Sequence, residues 1–161
     1  MTLFMMVGIP GSGKSTYAKH LKAYFEFNRK YEDYHIDYVS RDEIRFSILQ
    51  DGDGYFSREN EVYRIFTDKI RKGLKAGHDV IADATHITWG SRHKLMRAIN
   101  GIDNVKIVAV VMRTSYDTCE RRNMEREGRA QVPTTQLERM WEQYEDPQLE
   151  EGFERIDEVW Y

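Results

Sequence analysis

The sequence predicts an α/β fold in which a parallel five-stranded sheet lies between layers of helices. Three observations predict it. Apolar runs of strand length recur along the chain, and stretches of helical length separate them. Polar residues able to do chemistry gather at the carboxyl ends of the runs. Strand, crossover helix and strand in repetition build a parallel sheet, because a parallel neighbour can be reached only by a long crossover.

Each element has its own reason. LFMMVG (3–8) is apolar throughout, as a strand buried on both faces should be. A helix follows from the glycine-rich loop through YAKHLKAYFEF. HIDYVS (35–40) reads as the second strand and RDEIRFSIL as a short helix after it. GDG at 52–54 marks a turn. Residues 58–76 form a long amphipathic helix, with Val62, Ile65, Phe66, Ile70 and Leu74 near helical spacing. DVIADAT (79–85) is the third strand, and 88–100 a helix with Thr88 as N-cap. VKIVAVVM (105–112) is the fourth strand. Helices follow at about 115–126 and 134–145, the second with Pro133 at its start. RIDEVWY (155–161) closes the sheet.

Composition narrows the function. At 161 residues and 40% hydrophobic, the chain suits one domain, 1–161, with one sizeable core. No internal repeat or low-complexity linker interrupts it, and no apolar run approaches the roughly 20 residues of a membrane span. The strand-like N-terminus predicts no signal peptide, and the single cysteine fits a reducing, cytoplasmic setting. Cys119 itself reads as a structural thiol. Net charge is −3, unevenly placed. Residues 138–158 hold nine acids against Arg139 and Arg155, a local −7, which leaves +4 elsewhere. Such a chain is not built to coat DNA, although it could hold one short phosphorylated ligand. The acidic strip reads as a solvated face.

GIPGSGKS (8–15) fits G-x-x-x-x-G-K-S/T between a strand and a helix, the context in which that pattern cradles phosphates. Gly8, Gly11 and Gly13 let the backbone turn and approach closely, so that N–H groups, including those of Ser12, Gly13 and Thr16, aim at phosphate oxygens. Lys14 should contact the outer phosphates of ATP, and the Ser15 hydroxyl should ligate Mg²⁺. Asp83, closing VIAD, is placed to orient the metal through water. Ala84 follows it where water-activating ATPases often carry Glu, which points away from hydrolysis.

Transfer to an alcohol needs a base, cations and exclusion of water. Asp42 and Arg45 in SRDEIR stand three residues apart on one helical face just past the second strand, and can serve as base and anion-binding arginine. A helix-terminal acid with an ordinary surface pair has the same appearance. Arg122, Arg126 and Arg129 fall at i, i+4 and i+7, on one face of a helix that Gly128 would break before a hinge at Val132–Pro133. On spacing alone, with Glu120, Glu125 and Glu127 interleaved, that stretch is a solvated, salt-bridged helix.

Taken in order, GIPGSGKST, SRDEIR, DATHIT, RRNMEREGRAQVP and DPQLEEGFERI resemble the kinase domain of the 5′-hydroxyl polynucleotide kinase family, across nearly the whole chain. The resemblance implies a P-loop NTPase fold like that of nucleoside-monophosphate kinases, with a helical lid at about 120–133. It implies Asp42 as general base, Arg45 on the acceptor's phosphate, Asp83 near the Lys14/Ser15 end of the site and Thr85 at a polar position after it, both counted among the substrate-binding residues. It also implies Arg126 as the lid arginine on the donor phosphates, with Arg122 a neighbour. His86 departs from the family, where Asn is frequent, and reads as a solvent-exposed loop residue. Tyr34, Tyr38, Phe46, Tyr55 and Trp89 are candidates to stack on a base, but such aromatics are more often core or rim residues and are read so here. The expected activity is ATP- and Mg²⁺-dependent phosphorylation of a hydroxyl, foremost the 5′-OH of a nucleic acid or nucleotide. A small-molecule kinase and an ATP-hydrolysing switch are the alternatives. Oligomeric state is left open.

Overall fold

A computed structural model describes residues 1–29 and 33–160, excluding the side chain of Arg129. The elements run β1 (Thr2–Val7), α1 (Lys14–Asn28), β2 (Ile36–Ser40), α2 (Arg41–Ile48) and α3 (Glu59–Lys75). After these come β3 (Asp79–Asp83), α4 (Trp89–Ala98), β4 (Lys106–Arg113), α5 (Tyr116–Met124), α6 (Thr134–Glu142) and β5 (Arg155–Trp160). Tyr161, expected as the last residue of the closing strand, lies outside the described residues.

The five strands form one parallel sheet in the order β2-β3-β1-β4-β5. β1 is central, paired with β3 through Leu3↔Val80 and with β4 through Phe4↔Val108. Period-two alternation sends its side chains to two separate cores. Leu3, Met5 and Val7 join Val62, Phe66, Ile70 and Leu74 of α3 and Leu95 of α4. Phe4 and Met6 join Ala18 of α1, with Leu21 and Phe25 against them. Helices therefore cover both faces, which is why strand β1 can be apolar at every position after Thr2.

The chain leaves β1 toward β2 on one side and later crosses to β4 on the other. The carboxyl end of β1 is thus the switch point where sheets of this kind bind ligands. Thr88 caps α4 as the sequence predicts, in a reciprocal capping box with Ser91. Among the described residues no helix is long and apolar enough to cross a membrane.

Candidate active site

The loop after β1 is shaped by backbone. Gly8, Gly11 and Gly13 all have φ between +83° and +154°, conformations that favour glycine. At Gly11 the need is doubled, since a Cβ would overlap the carbonyl oxygen of Cys119 on α5. The loop is pinned from outside as well. Gly8 N donates to Thr85 O at 2.9 Å, and the Thr114 hydroxyl donates to Ser12 O at 2.9 Å.

Lys14 opens α1 and is buried, its ammonium donating to Ile9 O at 2.9 Å. Burial lowers its pKa, with the nearby charge of Arg126 adding to the effect, while the carboxylates of Asp83 and Asp42 oppose it. A dry ammonium flanked by two carboxylates is held ready for a more strongly negative ligand.

A cleft of about 310 Å³ lies beside this loop. Lys14 and Ser15 line it from the loop, Asp42 and Arg45 from α2, Asp83 and Thr85 from the end of β3, and Arg126 from the segment after α5. The fold therefore brings seven of the sequence-predicted residues onto one cavity. Gly11, Ser12, Gly13 and Thr16 build the loop and first helical turn but do not line that cleft. Ser12 faces a second cavity of about 250 Å³ beyond the loop, with Arg113, Trp141 and Tyr144. Arg122 reaches the loop by a long 3.5 Å hydrogen bond to Gly11 O.

Several contacts of these residues escape sequence reasoning. Tyr38 donates its hydroxyl to Asp83 Oδ2 at 2.7 Å, and burial, with that carboxylate adding to it, raises the phenol's pKa. Asp42 Oδ1 accepts from Arg45 Nη1 and, at 2.9 Å, from the Tyr55 hydroxyl. Arg45 Nη2 donates to Glu59 Oε2 at 2.7 Å, and Arg41 pairs with the other oxygen of Glu59. Burial works against the Arg45 charge, but its hydrogen bond to Glu59 and the charges of Glu59 and Asp42 outweigh it, so its pKa is raised. Glu59 looks in the sequence like any first-turn helix acid, and only its distant partners mark it. Tyr55 lies in the link between α2 and α3, where no periodicity identifies a site residue.

Two expectations are corrected. Arg122, Arg126 and Arg129 do not share a helix. α5 stops at Met124, before both Arg126 and Gly128. The buried amide of Asn123 donates to Val132 O at 2.7 Å and accepts from Val132 N at 3.0 Å, folding the chain back on itself. Arg126 reaches the cleft from this loop, while the Arg129 side chain lies outside the described residues. His86, read as solvent-exposed, is buried. It has φ 42°, and its Nδ1 bonds to Met6 O at 2.9 Å. Burial lowers its pKa to about 4, with Arg41, Lys14 and Arg92 adding to the effect, so the imidazole is neutral.

The acidic strip is also less uniform than its composition. Glu151, its side chain 5% exposed, makes a two-pronged pair with the buried Arg92, at 2.7 and 2.8 Å. Arg92 Nη1 also donates to Glu145 O at 2.8 Å and His86 O at 3.2 Å, tying the strip to the loop after β3.

Ser15 and Asp83 are oxygen donors able to hold Mg²⁺, a donor set that suits a hard cation sharing its shell with phosphate and water.

Fold and loop together define a P-loop protein of the nucleoside-monophosphate-kinase type, and that fold implies ATP binding. Residues 3–147 match the AAA domain family AAA_33, and the chain belongs to that family. It is similar, at 23% identity over 155 residues, to a protein of Autographa californica nuclear polyhedrosis virus named for bifunctional polynucleotide kinase/RNA ligase activity. The match takes in 88% of this chain and 20% of the viral protein, so the chain spans about a fifth of that relative's length. Among solved structures, Kti12 of Chaetomium thermophilum in complex with ADP-AlF3 matches with a TM-score of 0.75 and 18% identity, over 99% of this chain and 89% of that one. A chain of the Pnkp1/Rnl/Hen1 RNA repair complex matches with a TM-score of 0.63 and 21% identity, over 89% of this chain and 46% of that one. At these identities the structural likeness speaks for the fold.

Proposed function

We propose that the chain is an ATP- and Mg²⁺-dependent kinase that phosphorylates a hydroxyl, foremost the 5′-OH of a nucleic acid or nucleotide. One observation carries the reading. A carboxylate–arginine pair, Asp42 and Arg45, shares a cleft with Lys14, Ser15, Asp83 and Arg126. A hydrolase needs only to place water, whereas an exposed carboxylate opposite the phosphate loop, with an arginine beside it, suits a hydroxyl acceptor that carries its own anion. The named activity of the viral relative and the resemblance of the ordered motifs support the nucleic-acid acceptor.

In this reading the loop amides and Lys14 hold the β- and γ-phosphates. Ser15 would ligate the Mg²⁺ that accompanies ATP and Asp83 would orient it through water, and the ion would supply charge neutralisation. Asp42 takes the hydroxyl proton as the acceptor oxygen bonds to the γ-phosphorus. The bond from that phosphorus to the β–γ bridging oxygen breaks, and ADP leaves. Arg126 steadies the charge on the transferring group. Arg45 holds the acceptor's phosphate, and Thr85 contacts the acceptor side. Asp42 Oδ1 already accepts two hydrogen bonds, which leaves Oδ2 to face the incoming hydroxyl.

The test is transfer of labelled γ-phosphate, with Mg²⁺, to a 5′-OH DNA oligonucleotide, a 5′-OH RNA oligonucleotide and a nucleoside 3′-monophosphate. Label should appear on at least one acceptor, and Asp42→Asn should reduce transfer by about 10²–10⁴-fold. Label only on sugars or other small metabolites would move the acceptor to the small-molecule class. ATP turnover unaltered by Asp42→Asn would overturn the kinase reading.

A further inference from the structure

The wall of the cleft facing solvent is aromatic. Tyr55 and Phe56 line it beside Asp42 and Arg45. The two rings meet edge-on at 4.7 Å, and Phe46 meets Tyr55 from the other side at 6.1 Å. The Arg45 guanidinium lies against this cluster, 4.4 Å from the Tyr55 ring centre and 5.7 Å from that of Phe56. Tyr55 is held through its hydroxyl, yet Phe56 stays 51% exposed and Phe46 43%.

The segment that presents them is tied down. Asp53 N donates to Gln50 O, Ser57 N to Gly54 O and Glu59 N to Phe56 O, at 3.0–3.3 Å. The Arg58 guanidinium donates to Ile48 O at 2.5 Å. A phenylalanine left half in water on a braced loop, beside a polar cleft, is a surface prepared for a flat apolar partner. Arg45 sets the chemistry of that partner. Its side chain is 5% exposed, its Nε has no hydrogen-bond partner, and its charge lies directly under the rings. An acceptor that satisfies both features carries an anion and an aromatic face a sugar's width apart. A bare sugar has no such face to offer Phe56.

We propose that Phe56, braced by Tyr55 and Phe46, is the stacking platform for the nucleobase of the acceptor, so that the acceptor class is base-bearing nucleotides rather than simple sugars. The proposal rests on the kinase reading above and deepens it. Because a ring reads the π-face of a base and not its edge, the platform accepts all four bases.

The experiment uses Phe56→Ala and Phe56→Trp with two acceptors, a nucleoside 3′-monophosphate and the matching abasic 1,2-dideoxyribose 3-phosphate. In Phe56→Ala the KM for the nucleotide should rise about five- to hundred-fold, with kcat and the KM for the abasic acceptor unchanged. In Phe56→Trp, without ATP, nucleotide should quench fluorescence saturably beyond the wild-type background of three native tryptophans, and the abasic compound should not. Equal KM changes for both acceptors would reduce Phe56 to a packing residue and overturn the proposal. So would transfer to the nucleotide without quenching, although the kinase reading would stand. Saturable quenching without transfer by wild type would uphold the platform and sink the kinase reading.

Discussion

The two walls of the cleft are made of different materials. The P-loop wall is set by backbone, since three positive-φ glycines within residues 8–13 shape the loop that carries Lys14 and Ser15 to the cleft without lining it themselves. The α2 wall is side chain, with Asp42, Arg45, Tyr55 and Glu59 drawn from a helix, a connecting segment and a second helix. Backbone cannot be substituted without changing the path of the chain, so the first wall suits a ligand that never varies. Side chains can be exchanged one at a time, so the second suits a ligand that differs between relatives. Between them lies a floor, Asp83, Ala84 and Thr85, and the chain just after it is tied by Arg92 Nη1 to His86 O and by His86 Nδ1 to Met6 O.

The largest expected effect is on that floor. Arg92→Ala strands the buried Glu151 carboxylate and should cost about 3–5 kcal/mol of stability, read from urea unfolding midpoints. Replacing both partners, Arg92→Met with Glu151→Leu, should recover most of it. A single-variant cost below about 1 kcal/mol would show that the two walls do not share a floor.

The next effect is pH-dependent. The pKa of His86 falls from an ordinary 6.5 unfolded to about 4 folded, so the unfolded chain binds the proton more tightly. Its contribution is complete above about pH 6.5 and is lost as pH falls toward 4, a loss of about 3 kcal/mol across that window. His86→Asn, which tolerates the positive φ, should flatten the stability profile there. Parallel profiles for the two proteins would refute the assignment.

Smaller still, and confined to one wall, is Gly11→Ala. A left-handed φ costs about 1–2 kcal/mol for an L-residue, and the Cβ also meets the Cys119 backbone, so ATP affinity should fall by at least about tenfold in calorimetry. An alanine that left ATP affinity intact would mean the backbone wall is more forgiving than its geometry. The smallest effect is Tyr55→Phe, which removes the hydroxyl's hydrogen bond to the Asp42 carboxylate and the one it accepts from Arg45 Nη1. It should lower kcat/KM by about tenfold with ATP binding unchanged, sharpening the separation of the two walls.

The P-loop wall was legible in the sequence because its determinants are contiguous. The strand boundaries were legible to within a residue or two because both faces of the sheet are covered. The α2 wall was legible only in part. Asp42 and Arg45 lie three apart on one helix and declare themselves, whereas Tyr55 joins them from a link with no pattern of its own and Glu59 from the first turn of α3, where any helix-terminal acid looks the same. Charge spacing extended α5 too far because the force ending it is the pairing of Asn123 with Val132, nine residues on. His86 was misread for the same reason, since its partner, Met6 O, is 80 residues away.

Periodicity, capping and glycine conformations act over a few residues, and they dictate the alternation of strands and helices and the phosphate loop. Which charges meet was settled by packing between distant segments. It buried Arg92 on Glu151, turned Arg126 into the cleft from a loop rather than a helix, and set Tyr55 and Glu59 around Asp42 and Arg45. Such pairings are selected by desolvation and hydrogen-bond satisfaction between distant segments, quantities that exist only once the chain has packed.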